Sequence, residues 1–189
     1  MAINLSKGGN MNLTKDNPGL SKVTVGLGWD KNKFVGQAFD LDASATLIGA
    51  NGKRVSDEHF VYFGNLSFKD GSVAHTGDNL TGEGDGDDEK IKVDLKAVPA
   101  DVEKIAIAVS IYQAKDRGNQ NFGSVENAFI RIVDDATGEE LVHYDLDEDY
   151  STESTVIFGE LYRNNGDWKF KALGQGIVGE INELVAFFA

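Results

Sequence analysis

The chain contains no cysteine. That excludes disulfides, zinc–thiolate sites, iron–sulfur clusters and thiol redox chemistry. Proline is scarce at two residues, while glycine is plentiful at 22. This pairing suits tight turns between strands better than a disordered linker. Positive charge is also short: 18 Lys and Arg stand against 31 Asp and Glu, a formal net charge of −13. Such a chain repels nucleic acid and anionic membrane surfaces, and favours cations or basic partners. Long apolar runs are missing. The opening, MAINLSKGGNMNLTK, holds no apolar stretch of signal-peptide length, and no segment approaches a membrane-spanning helix. The expectation is a cytoplasmic protein with no direct membrane insertion. Histidine is limited to three scattered residues, His59, His75 and His143, and no G-x-S-x-G nucleophile motif occurs.

What is present is alternation. The 189 residues, 41% of them hydrophobic, suit a single domain over 1–189 with one sizeable core. KVTVGLGWD (Lys22–Asp30) places Val23, Val25, Leu27 and Trp29 on one face. AFDLDASATLI (Ala38–Ile48) places Phe39, Leu41, Ala43, Ala45 and Leu47 on one face and Asp40, Asp42, Ser44 and Thr46 on the other. A period of two over that length predicts half-buried strands. Further short strands are expected over His59–Phe63, Ile91–Leu95, Lys104–Tyr112, Ala128–Val133, Glu140–Tyr144, Thr155–Leu161 and Trp168–Leu173. Asn51-Gly52, Asp70-Gly71, Thr137-Gly138 and Asn165-Gly166 punctuate them, the last two as hairpin turns. The pattern predicts an all-β fold, an antiparallel β-sandwich with few short helices. The tail INELVAFF (Ile181–Phe188) has helical spacing but is also compatible with a last strand.

The chemistry concentrates in GDNLTGEGDGDDE. Asp78–Glu89 holds six carboxylates and three glycines with no Lys or Arg. Its twelve residues match the length of an EF-hand loop, but Leu80, Gly82 and Glu83 stand where that loop needs Asp or Asn, Asp or Asn, and Gly. It is therefore not an EF-hand. The stretch still meets the needs of calcium, which takes about six to eight oxygens in flexible geometry. Asp78, Asn79, Asp85, Asp87, Asp88 and Glu89 offer side-chain oxygens, while Leu80 and Gly82 enter the candidate set through the backbone. Asp40 and Asp42, two apart on one strand face, join the set if the stretch folds over them. The plain alternatives are a solvated acidic loop and an ordinary polar strand face. The same acids allow a carboxylate- or metal-dependent hydrolase, although crowded acids in a hydrophilic loop lack the apolar pocket that holds a proton on one partner. An acidic module docking a basic protein is a third reading. GQGIVG (Gly174–Gly179) matches a dinucleotide fingerprint only literally, because no βαβ unit follows; a tight turn is expected there. Arg131, within FIRIV, either pairs with an acid or sits on an exposed face, and the exposed face is the expectation.

Taken together, GLGWD (Gly26–Asp30), FDLDAS (Phe39–Ser44), HTGDNLTGEGDGDDE (His75–Glu89), FGSVENAFIRIVD (Phe122–Asp134) and ELYRNNGDWKFKALGQG (Glu160–Gly176) resemble the TerD family of tellurite-resistance and general stress proteins nearly end to end. The resemblance implies a non-enzymatic β-sandwich that binds calcium, two ions, through Asp40, Asp42, Asp78, Asn79, Asp85, Asp87, Asp88 and Glu89. It also implies work beside other Ter proteins, including a membrane-embedded one that would bring the chain to the inner membrane face. Tellurite itself is not legible in the residues. Without cysteine, direct thiol chemistry on tellurite is excluded, and an acidic chain repels that oxyanion, so any resistance is indirect.

Overall fold

The structure is a computed structural model that describes residues 2–30, 39–77 and 86–189. The strands in chain order are β1 (Ile3–Asn4), β2 (Asn10–Asn12), β3 (Lys22–Gly28), β4 (Leu41–Gly49), β5 (Phe60–Val61), β6 (Val73–His75), β7 (Glu89–Asp94), β8 (Val102–Ile111), β9 (Phe129–Asp134), β10 (Glu140–Asp145), β11 (Thr155–Asn164) and β12 (Asp167–Ile177). They form two six-stranded sheets. One runs β1-β10-β9-β3-β7-β6, the other β2-β12-β11-β8-β4-β5. Every pairing is antiparallel except the short parallel join of β1 to β10, Ile3 against Val142.

The inner faces carry the expected alternation. Val23, Val25 and Leu27 of β3 and Ile130 and Ile132 of β9 meet Leu41, Ala43, Ala45 and Leu47 of β4 and Ile105, Ile107 and Val109 of β8 in one buried cluster. Trp29 and Trp168 join it. The Asn165-Gly166 turn follows the hairpin chemistry of its residues: Asn165 (φ 54°) and Gly166 (φ 85°) both take the left-handed backbone, and Asn164 pairs with Asp167 on either side.

The outer face of the second sheet departs from expectation. Strand β4 is buried on both faces. The tail resolves as a helix, Ile181–Phe187, because Glu180 and Glu183 form a reciprocal capping box at its start. Its Leu184, with Phe188, packs on Ile48, Phe60, Ala106, Ala108 and Ile157. Alanines alternate with isoleucines along β8, so small side chains face the helix and large ones the core. A four-residue helical turn at Leu13–Asp16 supports the end of β12.

Two local expectations are corrected. His59–Phe63 is a one-turn 3-10 helix, Asp57–His59, followed by a two-residue edge strand. GQGIVG is not wholly a turn: β12 continues to Ile177, with Gly176 paired to Val156, and the chain bends only afterwards.

Candidate functional site

The site is laid out by glycines in β3. Gly26 and Gly28 face outward, opposite Val25 and Leu27. A Cβ on Gly26 would stand 2.3 Å from the Asp87 carboxyl carbon, and one on Gly28 would stand 2.4 Å from the Phe129 ring and 2.9 Å from the Gly86 carbonyl. The segment 86–88 therefore lies directly on the strand, and only glycine leaves room for it. Asp88 donates its N–H to the Leu27 carbonyl at 2.8 Å.

Each acid that follows Gly86 meets a different partner. Asp87 is held by Arg131, which donates Nε to Oδ1 at 2.6 Å and Nη2 to Oδ2 at 3.1 Å. The Asp87 side chain is only 3% exposed. Arg131 also donates Nη1 to Glu140 at 3.0 Å. Its guanidinium is pushed further up than usual, first by the hydrogen bond to Asp87. Of the two readings of Arg131, pairing with an acid is the one the structure bears out, and the pairing clamps the acidic segment. The strand face of Arg131 packs beside β3, where the Asp87 carboxylate already sits over Gly26.

Asp88 accepts the Trp29 N–H at 2.9 Å. Burial pushes its carboxyl up, partly offset by that N–H and reinforced by the neighbouring Asp87 and Asp30 carboxylates. A cleft of about 360 Å³ opens here, lined by Trp29, Asp30, Gly86, Asp88, Asn127, Phe129 and Asp145. Asn127 donates to Asp30 at 2.7 Å. Beside the cleft, His143 stacks on Phe129 at 5.2 Å and reaches Glu140 and Asp145, each at 3.0 Å.

Glu89 begins β7 and points inward with Ile91 and Val93. Its Oε2 accepts the Ala43 N–H of β4 at 2.5 Å and lies 3.3 Å from His75 Nε2. Strand β5 pairs with β4 only at Ala45 and Thr46, so the Ala43 N–H lies beyond that pairing and is met by the carboxylate instead. Glu89 thereby joins the two sheets.

Asp40 just precedes β4, and Asp42 lies on the opposite face of the strand. They are buried, at 7% and 5% exposure, rather than standing on a solvated face. Arg117 reaches Asp40 Oδ2 at 3.2 Å while its guanidinium lies 5.3 Å over the Tyr112 ring. Asp42 is in register with Ser110, whose hydroxyl accepts from Thr155 at 2.9 Å.

The structure thus brings Asp87, Asp88 and Glu89 to adjacent but distinct surroundings, and sets Asp42 next along the chain from the Glu89 anchor. Among the described residues, no three His, Asp or Glu side chains lie together as a group that could hold a metal ion. Asp78, Asn79, Leu80, Gly82 and Asp85 lie outside the described residues. The cleft is lined by the oxygen-bearing side chains of Asp30, Asp88, Asp145 and Asn127, the donor type that a hard cation takes, although these acids are not gathered into one group. Asp87 and Asp40 fit less well, since each faces an arginine. Sequence reasoning missed Asp30, Asn127 and Asp145 as cleft residues and His75, Arg117 and Arg131 as partners. The glycines of GLGWD were the one usable signal, because glycine inside a strand marks a close approach.

Comparison with known proteins agrees with this architecture. The chain is 54% identical to the tellurium resistance protein TerD of Serratia marcescens, over 98% of this chain and 96% of that one. It is 56% identical to general stress protein 16U of Bacillus subtilis, over 95% of this chain and 93% of that one. A crystal structure of a TerD homologue from Streptomyces coelicolor shares the fold, with a TM-score of 0.73 at 24% identity over 88% of this chain and 96% of that one. The TerD domain profile matches residues 1–188. The chain therefore belongs to the TerD family, whose relatives named above are tellurium-resistance and general stress proteins.

Proposed function

We propose that this chain is a non-enzymatic calcium-binding stress protein that serves resistance to tellurite and other chemical stresses as a sensor or scaffold for other Ter proteins, including a membrane-embedded one. The observation that carries the reading is the cleft where Asp30 and Asp88 meet Asp145, Asn127 and Gly86 at the end of the acidic stretch. Its donors are oxygens, with no sulfur, which favours calcium over zinc. Two ions would draw their ligands from Asp40, Asp42, Asp78, Asn79, Leu80, Gly82, Asp85, Asp87, Asp88 and Glu89, with Asp30 added by the cleft. Bound calcium would neutralise carboxylates that otherwise repel one another.

Support for the partner reading is coarser. The chain is 41% identical to tellurium resistance protein TerZ and 38% identical to TerX, both of Serratia marcescens, so it is one member of a set of related chains. Calorimetric titration of the metal-stripped chain with Ca²⁺ tests the reading, against Asp40→Ala, Asp78→Ala and Asp88→Ala. Loss of binding in Asp88→Ala is expected. No heat from wild type at about 1 mM Ca²⁺, above the affinity range of sensor sites, sinks it. Bound ion should stabilise the fold by about 2.7 kcal/mol at a hundredfold excess over Kd, so a melting temperature indifferent to chelator argues against a structural ion. The scaffold role predicts that capture of purified TerZ or TerX weakens in chelator; equal capture with and without chelator refutes it.

A further inference from the structure

A larger cleft, about 660 Å³, shares no lining residue with the one beside Asp88. Its size suits a small-molecule site, which typically spans about 300–1,000 Å³. Three segments wall it: 114–121 after β8, 151–154 before β11, and 178–183 where β12 gives way to the tail helix. These walls are tied to one another. Ser154 and Thr155 both donate their hydroxyls to the Gly179 carbonyl, at 2.7 and 2.8 Å. Glu180 Oε1 accepts the Lys115 N–H at 3.0 Å. The turn after β8 is closed by the Arg117 N–H on the Gln113 carbonyl and the Gln120 N–H on the Ala114 carbonyl, each at 2.9 Å. Gln113 and Asn119 take left-handed backbone there, φ 50° and 57°, which side-chain-bearing residues seldom adopt. Such backbone persists only where its surroundings over-determine it, and it gathers at ligand clamps.

The lining selects its ligand by exclusion. Among the described residues no aromatic ring faces the cleft, so a base has no surface to stack on. Apolar contact is confined to Val178 and to Ala114, which is itself buried. An anion meets three carboxylates, Asp116, Glu180 and Glu183, against the single ammonium of Lys115. The amides it would need are already taken: Glu180 holds the Lys115 and Glu183 N–H groups, and Glu183 Oε2 holds the Glu180 N–H at 2.9 Å. What remains is an acceptor surface of carboxylates and of the carboxamides of Asn119, Asn121 and Asn182. We propose that this cleft binds a donor-rich organic cation, a guanidinium or alkylammonium group. Such a group carries several N–H donors and no acceptor, the complement of this lining. The net charge of −13 also concentrates cations around the chain. The proposal is independent of the calcium reading.

The test is an NMR titration of the full chain in chelator, with arginine amide as probe and citrulline amide as its neutral isostere. Arginine amide should shift the backbone signals of 114–121 and 178–183 with a Kd of about 1 mM or tighter. Citrulline amide should bind about tenfold more weakly or worse. Asp116→Asn and Asn182→Ala alter exposed positions and should each weaken arginine amide by about threefold or more. Equal binding of the two amides, shifts confined to other parts of the chain, or unchanged affinity in both variants overturns the proposal. Acetyl-Gly-Arg-Gly-amide, compared with free arginine amide, distinguishes the source of the cation. Tighter binding of the peptide assigns it to a side chain of a partner protein, and tighter binding of the free amide to a small metabolite; either outcome supports the cleft.

Discussion

Gly26→Ala is the most direct test of how the acidic segment is seated. Gly26 does not occupy a left-handed backbone, so alanine there carries no backbone strain. On that ground alone the change should stabilise by about 0.4–1 kcal/mol, because it restricts the unfolded chain. The structure predicts the opposite sign. The new methyl would lie 2.3 Å from the Asp87 carboxyl carbon and 2.4 Å from both its oxygens. Ordinary contact is about 3.5–4.0 Å, so Asp87 must retreat by more than about 1 Å. It cannot do so and keep its 2.6 and 3.1 Å bonds to Arg131. Overpacking costs about 1–3 kcal/mol, and a hydrogen bond to a charged group contributes about 1.5–3 kcal/mol. The Arg131 side chain is 31% exposed, so water recovers part of the loss. A net destabilisation of about 2–4 kcal/mol follows, equivalent to a melting-temperature drop of roughly 5–15 °C for a chain of this size. The assay is urea denaturation in chelator, with the same change repeated in an Asp87→Ala background. Without the carboxylate the clash is gone, and Gly26→Ala should become neutral or mildly stabilising. Equal destabilisation in both backgrounds, or a stabilised single variant, refutes the seating described here.

Asp88→Asn should raise the melting temperature in chelator at neutral pH and, on the calcium reading, remove the gain proposed for added Ca²⁺. Burial holds the Asp88 carboxyl above its ordinary value, so its contribution to stability falls as pH rises from the ordinary carboxylate range through the raised one, and a neutral amide that still accepts the Trp29 N–H escapes this loss. A lower melting temperature in chelator would contradict that account. His59, packed 4.8 Å from Phe68, has its pKa lowered by burial, so stability should be lost as pH falls from about 6.5 toward the lowered value. In His59→Gln, urea midpoints at about pH 5 and about pH 8 should differ less than in wild type; an unchanged difference removes His59 as the cause. Leu184→Ala should cost about 2–4 kcal/mol, since Leu184 is fully buried against the alanines of β8. A loss below about 1 kcal/mol in urea denaturation would mean that the helix contributes little to covering the second sheet.

The long strands were legible because alternation persists over six or more residues, as in β3, β8 and β9. Strands β1, β2, β5 and β6 have two or three residues each, too few to carry a period, and exist because a neighbouring strand offers partners. The burial of both faces of β4 was also hidden. Its outer residues, Asp42, Ser44 and Thr46, and Asp40 just before it, are polar, and among the described residues the tail helix and the segment carrying Arg117 reveal that this face is covered. The helix itself was half legible: its spacing was present, but the capping Glu180 and Glu183 were needed to separate it from a strand.

For the site, the acids were legible and their partners were not. Arg131 lies 44 residues from Asp87 and His75 lies 14 from Glu89, separations that no local pattern encodes. For its last residues, Gly86–Glu89, those partners decide between two readings that composition leaves open. A loose solvated loop would keep its carboxylates in water. Asp87 and Glu89 have instead given up nearly all their hydration, with side chains 3% and 0% exposed. Burying a carboxylate costs several kcal/mol unless hydrogen bonds and opposite charge offset it. Arg131 supplies that offset for Asp87, and the Ala43 N–H with His75 supplies it for Glu89. Asp88, between them, has the Trp29 N–H but also two carboxylate neighbours that raise its proton affinity. Of the three consecutive acids, the outer two therefore also seat the segment on β3 and on β4, whatever share they take in holding an ion. The middle one, facing the cleft with Asp30, is the carboxylate whose surroundings a divalent cation would most improve.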